Sequence, residues 1–224
     1  MRLVFRLETA RRQVSPFVQM AVIAPLVVVA IDCIYGIFSP RLAVAALMDE
    51  AAHITTAGLL IVALTNCPSL EFSLAALASS ILIDIDHVPM QLGWDVLTRG
   101  TPRPYTHSVL SVIIAGILGL TLKLDAGRIA RGVSFGVAAH LLRDVATGGG
   151  VSLFWPVTNR NVHVSYSSYI VLLCLLSVII VVRNTGKMSA NARELLNDDH
   201  GRDIERTSHD SWSKRLRLAL WRKC

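Results

Sequence analysis

Long apolar runs separated by short polar breaks dominate the chain, and their lengths decide what each run can become. A helix rises about 1.5 Å per residue, so about 20 apolar residues are needed to cross a hydrocarbon core. Six runs are candidates: Phe17 to Phe38, Leu42 to Leu64, Leu70 to Val88, Tyr105 to Leu122, Gly132 to Val145 and Ser167 to Val182. The first contains Pro25 and Asp32, and the second is interrupted early by Asp49, Glu50 and His53. The third ends in ILIDIDHVP, Ile81 to Pro89. The fourth opens with Thr106, His107 and Ser108 and is flexed by Gly116 and Gly119. The fifth is the weakest, with Arg128 and Arg131 ahead of it and His140, Arg143 and Asp144 near its end. Its clean apolar core is short, so a tilted or partly re-entrant helix is open there. The expected fold class is all-α, a polytopic membrane bundle of about six transmembrane helices.

The two ends read differently. Met1 to Ser15 carries four Arg, with Leu3, Val4, Leu7 and Ala10 at helical spacing, and is expected to lie at the interface as a short basic helix. A basic start before an apolar run also opens a signal peptide. No small-residue cleavage site follows and the run is long, so an uncleaved anchor is expected. Beyond Arg183 the chain turns polar and is expected to be irregular to about Ser211. Trp212, Leu216 and Leu220, interleaved with Lys214, Arg215 and Arg217, then suggest a second basic interfacial helix or a solvated charge run that only fixes topology. The expected division is therefore a basic segment over 1–16, a transmembrane domain over 17–183 and a cytoplasmic basic tail over 184–224.

Composition supports a membrane protein rather than a soluble domain: 53% of the 224 residues are hydrophobic and only 17% charged, with mean hydropathy +0.52. The four cysteines form no CxxC pair, which argues against a disulfide framework or a zinc ribbon. The net charge of +6 sits mainly at the two ends, a pattern suited to anionic lipid and not to nucleic acid. With six spans and the amino terminus inside, 17 Lys and Arg fall in the cytoplasm and four (Arg41, Arg99, Arg103, Arg160) outside, which sets both termini in the cytoplasm of an inner-membrane protein. The ends of spans three and five and the start of span four then face outward.

The candidate chemistry gathers at that level. A charge at the bilayer centre costs about 2.5–3.5 kcal/mol on insertion scales, so it calls for a cavity, a partner or an ion. Asp84 and His87 are three apart and share a helical face, and Pro89 is expected to loosen the last turn at Val88 and swing Asp86 inward. Asp49 and His53 are four apart in span two, and His140 and Asp144 are four apart in span five. Carboxylates and imidazoles converging from four helices are a known way to build a metal site in a bundle. The expected ligands are His53, Asp84, Asp86, His87, His107, His140 and Asp144. This mixed nitrogen and oxygen set suits zinc first, with manganese or iron as alternatives, and seven candidates leave room for two ions. Asp49 and Glu50 near the interface are weaker candidates, Asp32 reads as a helix contact or a support, and His163 as ordinary surface.

HITTAGLL from His53, DIDH from Asp84, RPYTHS from Arg103 and AHLLRDVATGGGVSLFWP from Ala139 together resemble the YdjM-like membrane-bound metal-dependent hydrolases, also described as LexA-binding inner-membrane hydrolases. The likeness covers about Asp49 to Tyr169. It departs at Ile83, where the family pattern has Pro, and at Pro102, where it has His. The first span and the basic tail are additions to that core. The resemblance implies a four-helix metal-binding core and a hydrolase.

Taken together, these residues suggest an enzyme in which metal-activated water attacks a lipid-linked phosphoester, with Arg103 or Arg143 pairing with phosphate and Asp86 or Asp144 as base. The HxxxD pair and scattered histidines are also faintly similar to zinc-dependent phospholipases C. Expected partners are membrane lipids and a lipid-linked substrate, with the basic tail binding anionic lipid or a protein. A metal transporter or regulatory sensor using the same cluster is the alternative; against it, the polar residues gather near one face and no inverted repeat or paired broken helices are visible.

Overall fold

The computed structural model describes residues 16–101 and 103–202. The interfacial helix expected at the amino-terminal end and the one expected from Trp212 onward lie outside the described residues. Helices account for nearly all the regular structure: α1 (Pro16–Phe38), α2 (Leu42–Leu64), α3 (Leu70–Leu82), the short α4 (His87–Gln91), α5 (Val109–Thr121), α6 (Leu124–Asp144) and α7 (Tyr166–Arg202). One 3-10 turn, Ile83–Asp86, joins α3 to α4.

Local signals explain most of the boundaries. Ser69 caps α3 by accepting the Phe72 N–H at 3.3 Å, and Glu71 sits in the first turn where the helix dipole favours an acid. α2 ends ahead of Asn66 and Pro68 and is closed from α7, where the Arg183 guanidinium donates to the Ala63 and Thr65 carbonyls and to Asn66. A cation there also complements the negative end of the helix dipole.

Three sequence expectations are corrected. The fourth run does not begin as helix at Tyr105: Thr106 and His107 lie in the preceding loop, and α5 starts at Val109 after an extended Ser108. At 13 residues, α5 is about 20 Å long, shorter than a hydrocarbon core. The fifth run does not begin at Gly132. It is one continuous helix of 21 residues starting at Leu124, so Arg128 and Arg131 lie within it. The polar run after Arg183 continues α7 as helix to Arg202, in keeping with its good helix formers Ala192, Arg193, Glu194, Leu195 and Leu196.

Four helical stretches are long and apolar enough to cross a membrane: Pro16–Phe38, Leu42–Leu64, Leu70–Gln91 and Tyr166–Gly186. α6 escapes that test because of its charges, and it can carry them because it is the most enclosed helix, packed on α2, α3 and α5. Its contact with α3 is made possible by glycine. A Cβ on Gly132 would fall 2.4 Å from the Phe72 carbonyl oxygen, and one on Gly136 2.1 Å from that of Ala76. No larger residue fits, so the two backbones approach as small-residue helix pairs do in membranes. α1, α2 and α7 form the other half, around Ala24, Val28, Leu59, Leu60, Leu173 and Ile180.

Candidate metal centre

The close α3–α6 contact has a fixed register. Phe72, Ala76, Ser80 and Asp84 recur every four residues along α3 and the turn after it; Gly132, Gly136, His140 and Asp144 do so along α6. Gly132 meets Phe72 and Gly136 meets Ala76. One turn further, His140 donates its Nδ1–H to the Ser80 carbonyl at 2.8 Å. That bond fixes the tautomer and leaves Nε2 facing inward as a ligand atom. The next step brings Asp84 Oδ1 to 3.4 Å from His140 Nε2.

The loosening expected at Val88 occurs earlier, in Ile83–Asp86, and helical geometry resumes at His87. With about three residues per turn, the 3-10 segment keeps positions three apart on one face, and His87 Nε2 lies 3.4 Å from Asp84 Oδ1. Asp86 is carried to the far side of His107. It accepts from the Thr106 hydroxyl and lies 3.4 Å from His107 Nδ1, so it backs the imidazole whose other nitrogen points into the cluster.

Four ligand-type atoms converge. His107 Nε2 is 3.0 Å from Asp84 Oδ1, 3.1 Å from His140 Nε2 and 3.6 Å from Asp144 Oδ2. His140 Nε2 is 3.1 Å from Asp144 Oδ2. Tetrahedral coordination with bonds of about 2.0–2.1 Å spaces its ligand atoms about 3.3–3.4 Å apart, and these separations of 3.0–3.6 Å lie around that spacing. The second oxygen of Asp144 faces the other way, 3.5 Å from His53 Nε2, which is itself 3.8 Å from Asp49 Oδ1. Three overlapping groups each bring ligand atoms within 4.8 Å of one another: Asp84, Asp86, His87 and His107; His53, His140 and Asp144; and Asp49, His53 and Asp84.

The residues fit a cation, and their unmet bonds say so. His53, His107, His140 and Asp144 are all buried. Both oxygens of Asp144 and both nitrogens of His53 lack a hydrogen-bond partner, although Arg103 Nη1 approaches Asp144 Oδ2 to 2.9 Å as an ion pair. Each buried polar atom left unsatisfied costs about 1–3 kcal/mol, more when charged. Positive charge shared among these atoms removes that cost. Outside the helices, burial works against a charge on His107, but its hydrogen bond to Asp84 and the Asp86 carboxylate beside it outweigh burial and raise its pKa above the usual imidazole value.

The structure gathers all seven expected ligands at one end of the bundle, with Asp86 set behind His107. It adds Asp49, which the sequence ranks low because of its position near the interface. Glu50 also presents a buried oxygen, Oε2, without a hydrogen-bond partner. His163 is exposed in its loop. Arg143, expected to bind phosphate, is buried and already held by two acids. It donates to Asp32 at 2.7 and 3.2 Å and to Asp49 Oδ1 at 3.1 and 3.3 Å. The role of Asp32 in span one emerges here, since it also accepts from the Tyr166 hydroxyl at 2.7 Å. The sequence signal for that network was an unpaired acid in one apolar run and an unpaired Arg in another.

No curated protein and no solved structure matches the chain. The family described as YdjM inner membrane protein matches residues 48–197. That stretch covers more than half of the 224 residues and contains every ligand candidate named above. Together with the apolar helices it assigns the protein to a membrane, and the chain belongs to the YdjM inner membrane protein family.

Proposed function

We propose that the protein is an integral membrane metal-dependent hydrolase acting on a lipid-linked phosphoester at the outer face of the membrane. The observation that carries this reading is the convergence of Asp84, His107, His140 and Asp144 at 3.0–3.6 Å beside a cavity that Arg103 lines. Asp84, His107, His140 and Asp144 would hold a divalent cation, zinc favoured with manganese or iron as alternatives and the overlapping groups leaving room for a second, and it would supply Lewis acidity toward a bound water and a phosphate oxygen.

The chain's own groups supply the rest. His107 and His140 turn their Nε2 atoms inward, His140 set by its Nδ1–H bond to the Ser80 carbonyl and His107 with the Asp86 carboxylate 3.4 Å from its Nδ1. Asp144 offers Oδ1 toward His53 and Oδ2 toward His140, and would help to hold a cation on either side. Arg103, partly exposed beside Asp144, retains guanidinium donors for a phosphate oxygen. Arg143 is saturated by Asp32 and Asp49, so its part is to hold the wall of the site. Asp86 keeps Oδ1 without a hydrogen bond and is the better placed of the two expected bases, since Asp144 stands among the ligands.

The Lys and Arg balance of 17 against four favours both termini in the cytoplasm and the cluster outside, a topology that requires α6 and the shorter α5 to cross as well. The basic tail then faces the anionic inner leaflet or a protein partner. Detergent-purified protein should release phosphate or alcohol from a phospholipid or polyprenyl phosphoester, lose that activity to chelator, and regain it with zinc or manganese. Tight metal binding with no product across a lipid panel would overturn the hydrolase and leave a metal-binding sensor or transporter.

A further inference from the structure

Beside the cluster, between α1 and the end of α6, lies a cavity of about 510 Å³. Its inner side is polar, made by Arg103, Arg143 and Asp49, and so reaches the same groups that border the cluster. Its outer side is built by α1, through Cys33, Tyr35 and Gly36, all of them exposed. α1 is long and apolar enough to cross a membrane, so positions exposed on it face lipid. The cavity therefore joins the exposed side of α1 to the residues that border the cluster, with Arg103, Thr147 and Gly148 of the loops closing its outer end. Its volume is within the range of about 300–1,000 Å³ typical of small-ligand sites.

We propose that this cavity is a lateral substrate port. It takes an amphiphile by its phosphate head, Arg103 receiving the head and the α1 wall guiding the chain, which stays in the bilayer. The port deepens the hydrolase function above and rests on it for the choice of head group. α1 lies ahead of the stretch that matches the family, so the wall that selects the chain is added to the shared core. Asp32 makes the wall rigid: its two bonds to Arg143 and its bond from Tyr166 tie α1 to α6 and α7 at the level of the cavity.

Two positions make the port testable without touching the cluster. Cys33 lines it and carries a free, exposed thiol. Gly36 also lines it, and a Cβ added there meets nothing within 4 Å, so a large side chain fills the cavity without pushing on the backbone. In maltoside-solubilised protein with Cys67, Cys174 and Cys224 changed to Ser, the maleimide labelling rate of Cys33 is measured with and without decylphosphonate, whose P–C bond resists hydrolysis. Labelling should slow at least fivefold with decylphosphonate. It should be unchanged with inorganic phosphate or decyltrimethylammonium at the same concentration. Gly36→Phe should remove the protection while bound metal, read by elemental analysis, stays at the parent level. Equal protection by inorganic phosphate would show a head-group site with no use for the chain, and equal protection by the ammonium a merely greasy groove; either overturns the port, as does no protection at all. If Gly36→Phe fails to fold, the three ligands on the parent protein still decide. Protection without hydrolysis of any phosphoester would sink the hydrolase and keep the port, whereas hydrolysis without protection would do the reverse.

Discussion

The ring of His53 lies flat on the ring of His140, centroids 3.8 Å apart and planes 11° from parallel, with Asp144 offering one oxygen to each. His53 comes from α2, and His140 and Asp144 from α6. The stack is the joint at which the two halves of the bundle share the cluster. Both rings are fully buried.

Metal content should follow that joint. His140→Ala and Asp144→Ala should each cut bound zinc or manganese from near-stoichiometric to a small fraction, while the protein still inserts. His163→Ala, in an exposed loop, should leave it unchanged. Elemental analysis of purified protein checks this, and full metal in the His140→Ala, Asp144→Ala double variant would make the pair structural only.

The α3–α6 contact should be as demanding as the ligands. At Gly136 a methyl group would lie 2.1 Å from the Ala76 carbonyl oxygen, so Gly136→Ala must separate the helices. Overpacking of this kind typically costs about 1–3 kcal/mol. A lower melting temperature together with weaker metal binding is expected. At Gly149 nothing lies within 4 Å, and Gly149→Ala should change neither.

Arg143 should matter for stability. It is 3% exposed and held by Asp32 and Asp49. Removing one partner of a buried ion pair costs about 3–5 kcal/mol. Arg143→Ala should therefore lower the thermal midpoint clearly, and Asp32→Asn less, because Asp49 remains and Asp32 is partly exposed. Equal midpoints for Arg143→Ala and the parent would remove the network from any structural role.

Acid should compete with metal. The raised pKa of His107 favours its protonated form, and a metal bound at Nε2 must compete with that proton. Affinity should thus fall as pH is lowered from about 8 to 6, with proton release on binding. Titration calorimetry in buffers of different ionisation enthalpy measures both, and no proton release at pH 7 would contradict this.

Topology is open to direct labelling. In a background without reactive native cysteines, Gly149→Cys should react with an impermeant thiol reagent in intact cells and Gly186→Cys only after lysis. Both glycines have open space around them. The reverse pattern would turn the cluster to the cytoplasm and exclude an outer-leaflet substrate.

Sequence alone determined the helical class, most helix positions and the residues with metal-binding chemistry. It could do so because burying a charge in an apolar run is costly enough to make Asp84, His87, His140 and Asp144 conspicuous. The four-residue rows ending at Asp84 and Asp144 were also written in it. What only the tertiary structure decided was partnership. Asp32 and Arg143 are 111 positions apart and meet because α1 packs beside α6; nothing local marks either as belonging to the other. The extent of α6 was hidden for a related reason. Gly132, Gly136 and the arginines before them resemble breaks in a lipid-facing helix, whereas in an enclosed helix glycine allows close backbone approach and charge finds partners. The place of Asp86 behind His107 was likewise decided by the fold. A 3-10 turn aims side chains differently from an α-helix, and which one forms depends on what the neighbouring helices leave room for.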